Sequence, residues 1–180
     1  MRDHGGNLDA AVALYGGVRG DWTDLSTGIN PVPYPIPDIP SSAWAALPDQ
    51  AALDRIVNAV RRFWQVPNGV GVLAAPGCSA LIAQIPTLIP AGQVQIAQPT
   101  YNEHAAAFEY NGWSLCDMAG DASVIVHPNN PTGHYWDVVP NTTLTVIDES
   151  FCDIAPNRSH INRASRKGVI ILKSFGKFWG

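Results

Sequence analysis

Charge is scarce in this chain: only 14% of its 180 residues are Asp, Glu, Lys or Arg. The net charge is -4 and the isoelectric point about 5.6, so a nucleic-acid or anionic-membrane role has no electrostatic support. Basic residues do gather at Arg158, Arg163, Arg166 and Lys167, but no aromatics are interleaved, and the cluster reads as a solvated helix or loop face. Cysteine is sparse too. Cys78, Cys116 and Cys152 are far apart, odd in number and without a C-x-x-C pair, which argues against a zinc site or a disulfide framework and for a reducing compartment. No apolar run approaches transmembrane length, and the first seven residues lack the apolar core of a signal peptide. The expectation is a soluble cytoplasmic protein with no metal and with neither nucleic acid nor membrane as partner.

What the chain has is apolar residues, 46% of the total, at a length that suits one domain with a real core. Residues 1–48 form an arm rich in Gly, Pro and Asn. Within it Leu8, Val12 and Tyr15 fall on one face of a short helix from Asp9 to Tyr15. From Ser26 to Pro40 the chain reads Ser-Thr-Gly-Ile-Asn-Pro-Val-Pro-Tyr-Pro-Ile-Pro-Asp-Ile-Pro. So many prolines forbid helix and central strand, leaving an extended segment that is either a surface tether or an arm closing over a ligand.

The main domain, residues 49–180, opens with Asp49 as N-cap of a helix from Gln50 to Val66. Leu53, Ile56, Val57, Val60, Phe63 and Trp64 form its core stripe, and Pro67-Asn68-Gly69 ends it. Residues 69–74 fit G-x-G-x-x-A. A helix precedes the motif and a strand is expected inside it, so a dinucleotide site is rejected. The small residues Ala75-Pro76-Gly77-Cys78-Ser79-Ala80 then lead into the apolar run from Leu81 to Ile89. Such a turn is either an ordinary N-cap or a phosphate cradle of backbone N–H groups with the Ser79 hydroxyl.

Four short apolar runs follow, each read as a buried strand ending in polar residues. Residues 94–98 run into Pro99-Thr100-Tyr101, where Tyr101 either stacks on a flat ligand or joins the core. Residues 123–126 run into His127-Pro128-Asn129-Asn130-Pro131-Thr132-Gly133, a specified turn that aims an amide outward. Residues 144–147 end at Asp148-Glu149, whose side chains point to opposite sides. A carboxylate there needs a cationic partner, either a cofactor ring nitrogen or a neighbour such as Arg158. Residues 169–172 precede Lys173-Ser174-Phe175-Gly176-Lys177. Lys177 is either a solvated loop lysine or an amine able to attack a carbonyl. Strands alternating with helical stretches imply a layered α/β sheet on which these ends converge.

The motifs Pro-Gly-Cys-Ser at 76–79, Pro-Thr-Tyr at 99–101, Asn-Asn-Pro-Thr-Gly at 129–133, Asp-Glu-Ser-Phe at 148–151 and Ser-Phe-Gly-Lys at 174–177 resemble the class I/II, fold-type-I family of pyridoxal-phosphate (PLP) enzymes. His4-Gly5-Gly6-Asn7 and Ser26-Thr27-Gly28-Ile29-Asn30-Pro31 resemble its threonine-phosphate decarboxylase branch in cobalamin biosynthesis, with histidinol-phosphate aminotransferases as the near alternative. The resemblance implies an aminotransferase-type large domain, with a mixed, mostly parallel sheet between helices and incomplete at its C-terminus. It also implies that residues 1–48 begin a small domain and substrate lid, and that the protein is a homodimer when complete.

By the same resemblance, Lys177 would hold PLP as a Schiff base and Asp148 would pair with the pyridine nitrogen. Asn130 would meet the ring oxygen and Tyr101 the ring face. Cys78, Ser79 and Ser174 would hold the phosphate, and His4, Gly5, Gly28 and Asn130 would line the substrate pocket. Two positions depart from the family pattern: Phe151 stands where many relatives have tyrosine, and Leu47-Pro48-Asp49 lacks the tyrosine of many aminotransferases. Family members continue well beyond the lysine, so the chain is expected to be an N-terminal fragment, inactive by itself. A non-catalytic binding module on the same half-fold is the competing expectation.

Overall fold

A computed structural model describes residues 5–118 and 120–180, so the expected pocket residue His4 lies outside the described residues. Five strands form one sheet in the order β2-β1-β3-β4-β5, and every pairing is parallel. They are β1 (Gln93–Ile96), β2 (Ser114–Cys116), β3 (Ala122–Val126), β4 (Leu144–Asp148) and β5 (Val169–Leu172). Parallel strands are covered on both faces, which is why β3 and β4 read as near-continuous apolar runs and are buried at every position. Strand β2 has only three residues and no alternation, so no periodicity announces it.

The helices are α1 (Leu8–Tyr15), α2 (Ser41–Ala45), α3 (Gln50–Phe63), α4 (Cys78–Gln84) and α5 (Asn102–Tyr110). Ile82 and Ile85, with Phe108 and Trp113, pack on Val94, Ile96, Val124 and Val146, forming the larger core. Ile125, Ile147 and Val139 form the smaller one on the opposite face, against Trp136, Val169 and Ile171. Gly168 enters β5 at φ +82°, and a Cβ there would run into the Thr143 carbonyl, so this turn requires glycine. Among the described residues no helix is long and apolar enough to cross a membrane.

Two expectations about the start of the main domain change. The strand expected within residues 69–74 does not form; the segment carries no assigned strand and pairs with nothing. Among the described residues β5 pairs with β4 alone, and it lines a cleft of about 730 Å³ together with Val70, Val72 and Leu73. A strand needs a neighbour for its N–H and C=O groups, and among the described residues no strand pairs with this segment. The same cleft explains α3. Asp49 does cap it, accepting from the Ala52 N–H at 2.8 Å, but the helix ends at Phe63 rather than Val66. Of the expected core stripe only Val60 is buried, while Leu53 stays 43% and Phe63 53% exposed.

Ile147 is fully buried in the central strand, so Ile147→Ala is expected to lower the unfolding free energy by about 2–5 kcal/mol. Leu47→Ala, at a residue 93% exposed on the arm, should change it by less than about 0.5 kcal/mol. Urea unfolding of both variants, followed by circular dichroism, measures the difference.

Candidate active site

The register of the sheet sets the site. Val126 pairs with Asp148 and Asp148 with Leu172, so β3, β4 and β5 end level, and the loops that follow leave one edge together. Open parallel sheets bind ligands at this carboxyl edge.

Asp148, the last residue of β4, is only 3% exposed. Its Oδ2 lies 2.8 Å from His104 Nε2. Its Oδ1 accepts from the Ser150 N–H at 3.0 Å and the Ser150 hydroxyl at 2.6 Å. Burial pushes the carboxyl upward, but the hydrogen bond and charge of His104, with the two Ser150 bonds, outweigh it and hold Asp148 below the ordinary aspartate range. Glu149 turns the other way, as strand alternation demands. It meets Lys173 Nζ at 2.6 Å and the Ser159 hydroxyl at 2.6 Å, and also accepts from the His160 N–H. Arg158, a partner for Asp148 on sequence grounds, instead pairs with the exposed Asp137 at 3.1 Å.

Lys177 is half-buried, with Nζ 5.8 Å from the centre of the Phe151 ring. Cys78, the first residue of α4, links this lysine to the carboxylate. Burial and the Asp148 charge push its thiol up, while Ser150, Ser174 and Lys177 pull it down, so all five belong to one neighbourhood. The Cys78 thiol donates to the Lys173 carbonyl at 3.3 Å. Gly77, at φ +94°, caps α4 without a side chain, leaving the first turn to external acceptors; Ser79 is exposed there. Tyr101 caps α5 and stands edge-on to His104, ring centres 6.1 Å apart, which brings it beside Asp148.

Of the two asparagines, Asn129 is consumed by the turn. It accepts from the Thr100 hydroxyl at 2.6 Å and donates to the Pro99 carbonyl at 3.0 Å and the Thr132 hydroxyl at 2.8 Å. Asn130 is half-buried, and none of the hydrogen bonds among the described residues involves its amide. Gly28 presses on Phe151: a Cβ there would sit 2.6 Å from a ring carbon. Gly5 is not brought to the lysine; it packs against Ser26, in a pocket made of arm residues 5–26.

No family model matches the chain. It is 38% identical to a threonine-phosphate decarboxylase of Sinorhizobium sp, over 98% of its own length and 59% of that protein's. Among solved structures, the histidinol-phosphate aminotransferase from Clostridium acetobutylicum superposes with a TM-score of 0.63 at 19% identity, covering 86% of this chain and 56% of that one. The histidinol-phosphate aminotransferase from Sinorhizobium meliloti, in complex with pyridoxal-5'-phosphate, gives a TM-score of 0.59 at 20% identity, over 71% and 43%. The chain shares its fold with these aminotransferases, and threonine-phosphate decarboxylases align along nearly all of it. It spans about 59% of the length of the curated relatives it matches throughout.

The residues that the sequence does not single out are the ones that hold the named ones. His104 carries one signal: with Phe108 it lies one helical turn apart, on the face of α5 that packs inward. Ser150 reads as part of a motif and proves to be a two-point ligand of Asp148. A further cluster, His127, Glu149 and Cys152, has ligand atoms within 4.8 Å of one another. Both His127 nitrogens are engaged, by the Arg158 carbonyl at 2.9 Å and the Trp136 N–H at 3.1 Å. Burial drives the Cys152 thiol up to about 12. These groups are structural partners rather than free metal ligands.

Because folding lowers the Asp148 pKa, its stabilising contribution is complete above the ordinary aspartate range and is lost as pH falls through the lower folded value. His104→Ala removes the compensation and is expected to cost about 3–5 kcal/mol. In carbon-13 carboxyl titrations Asp148 should take its proton at higher pH in this variant, and the acid-unfolding midpoint should rise with it.

Proposed function

We propose that the protein to which this chain contributes is a PLP-dependent threonine-phosphate decarboxylase. It would convert L-threonine O-3-phosphate to (R)-1-aminopropan-2-ol phosphate and carbon dioxide, as a step of cobalamin biosynthesis. The observation that carries this is the match to the Sinorhizobium decarboxylase along nearly the whole chain.

The residues fit the cofactor. An ionised carboxylate has about four acceptor sites, and Asp148 uses three, leaving one for a protonated ring nitrogen. The start of α4 lacks a side-chain cap and suits a phosphate, with the Cys78 and Ser79 N–H groups and the Ser174 hydroxyl as donors. Tyr101 offers a ring face beside Asp148, and Asn130 an amide unbonded among the described residues for the ring oxygen. Bound PLP supplies an electron sink into which a bond at the substrate Cα can break. Lys177 Nζ would hold the cofactor and could carry a proton. Asp148 would keep the ring nitrogen charged, and Gly28 lets the arm pack directly on Phe151.

The bond that breaks is the one held perpendicular to the ring, so the substrate pocket rather than this core decides between decarboxylation and transamination. Phe151 removes a hydroxyl that many aminotransferases of the family carry, which favours decarboxylation. A histidinol-phosphate-type aminotransferase is the second reading, favoured by the solved structures that the fold resembles. A homodimer suits the exposed apolar residues of the arm, Leu25, Ile36, Trp44 and Leu47.

The deciding assay supplies phosphothreonine and PLP to the protein and measures carbon dioxide. A keto acid formed with 2-oxoglutarate as acceptor would select the aminotransferase instead. Adding PLP followed by borohydride should mark Lys177 in peptide mass spectra, and Lys177→Ala should abolish the mark and the accompanying visible absorbance. Absence of both signals in the unaltered chain would leave a non-catalytic module.

A further inference from the structure

Residues 30–34 of the arm run along the turn that carries Lys177. The Asn30 N–H donates to the Lys177 carbonyl at 2.9 Å, and the Tyr34 N–H donates to the Trp179 carbonyl at 2.7 Å. The Asn30 amide Nδ2 donates to the Phe178 carbonyl at 2.9 Å, while its Oδ1 accepts from the Val32 N–H at 2.9 Å. Gly180 closes the contact, since a Cβ there would lie 2.6 Å from Pro33 Cα. One asparagine therefore grips two successive carbonyls of the lysine turn and, with its side-chain oxygen, holds the bend of its own segment at Val32.

The rest of the turn is fastened on either side of the lysine. The Ser174 hydroxyl accepts from the Gly176 N–H at 3.1 Å, and Phe175 stacks on Trp64 with ring centres 5.1 Å apart. The Trp179 indole donates to Asp153 at 3.0 Å, next to a matching bond from Trp64 at 2.9 Å. At Lys177 itself, the backbone carbonyl accepts from the Asn30 N–H and from the Gly180 N–H of the same turn. A lysine amine rides on four flexible carbons, so its placement depends on how its own peptide plane is held.

From this we propose that Asn30 is the positioning residue for Lys177: the arm sets where the reactive amine stands. The proposal rests on Lys177 being that amine. Asparagine suits the place because one planar group both donates and accepts. Aspartate keeps the acceptor and loses the donor, and alanine loses both.

The test compares Asn30→Asp and Asn30→Ala with Ser26→Ala, which loosens the arm elsewhere by removing the acceptor of the Gly6 N–H. One readout is borohydride trapping of PLP on Lys177 across pH. The other needs no cofactor: reductive methylation of Lys177 by formaldehyde and cyanoborohydride across pH, read by peptide mass spectrometry. Both Asn30 variants should trap PLP about five-fold more slowly, as loss of one hydrogen bond predicts, and should shift the methylation profile. Ser26→Ala should match the unaltered chain in both readouts, and Asn30→Asp should remain folded. Lys177 profiles that superimpose on those of the unaltered chain would overturn the proposal, as would an equal shift in Ser26→Ala. If the unaltered chain traps no PLP, the proposed function fails, while the methylation profile still decides the role of Asn30. If Asn30→Ala does not fold, Asn30→Asp decides alone.

Discussion

Parallel pairing of β3, β4 and β5 brings Val126, Asp148 and Leu172 level, and every later feature of the site depends on that alignment. Strands buried on both faces are largely apolar. Ser123 and Thr145, the polar residues inside β3 and β4, are bonded to each other, so the site's polar side chains stand where the strands end. With three ends in line, the turns after them converge. A one-residue slip of β4 would turn Asp148 to the Lys173 side and Glu149 to the His104 side, exchanging their partners.

The converging ends carry buried charge, and the structure handles each charge separately. Asp148 is held by His104 and Ser150, Glu149 by Lys173, Ser159 and the His160 N–H. Asp153 accepts two indole N–H groups and stands 3.8 Å from Lys173. An unpaired buried carboxylate would cost several kcal/mol, so each partner set is a condition for the strand end to exist. The same arrangement separates two lysines four residues apart. Lys173 is committed to Glu149, its side chain 8% exposed, whereas Lys177 has no carboxylate within ion-pair distance among the described residues. Only the second is chemically available.

Around this centre the fold is fastened unevenly. The arm looks like a tether by composition, yet it is hydrogen-bonded to the lysine turn at Asn30 and Tyr34 and touches Phe151 at Gly28. On the far side, the free edge of β5 and the apolar stripe of α3 face an open cleft. An uncovered sheet edge is a template for further pairing, and this one is flanked by apolar side chains.

Much of this architecture is legible in the order of residues. The apolar runs announce β1, β3, β4 and β5, and Asp49 with the stripe after it announces α3. The polar residues after each strand name Tyr101, Asn130, Asp148 and Lys177, because burial confines such groups to strand ends. What the sequence cannot supply is partnership across distance. His104 meets Asp148 across 44 residues, and Asn30 meets Phe178 across 148. The division of labour between Asn129 and Asn130 depends on Thr100 and Pro99, which lie on another loop. Residues 70–74 have the composition of a strand and lack only a neighbour. Local pattern determines which segments are strands and helices and where polar groups may stand. Tertiary structure decides which polar groups find partners and which remain free, because a hydrogen bond depends on spatial approach and not on position in the chain.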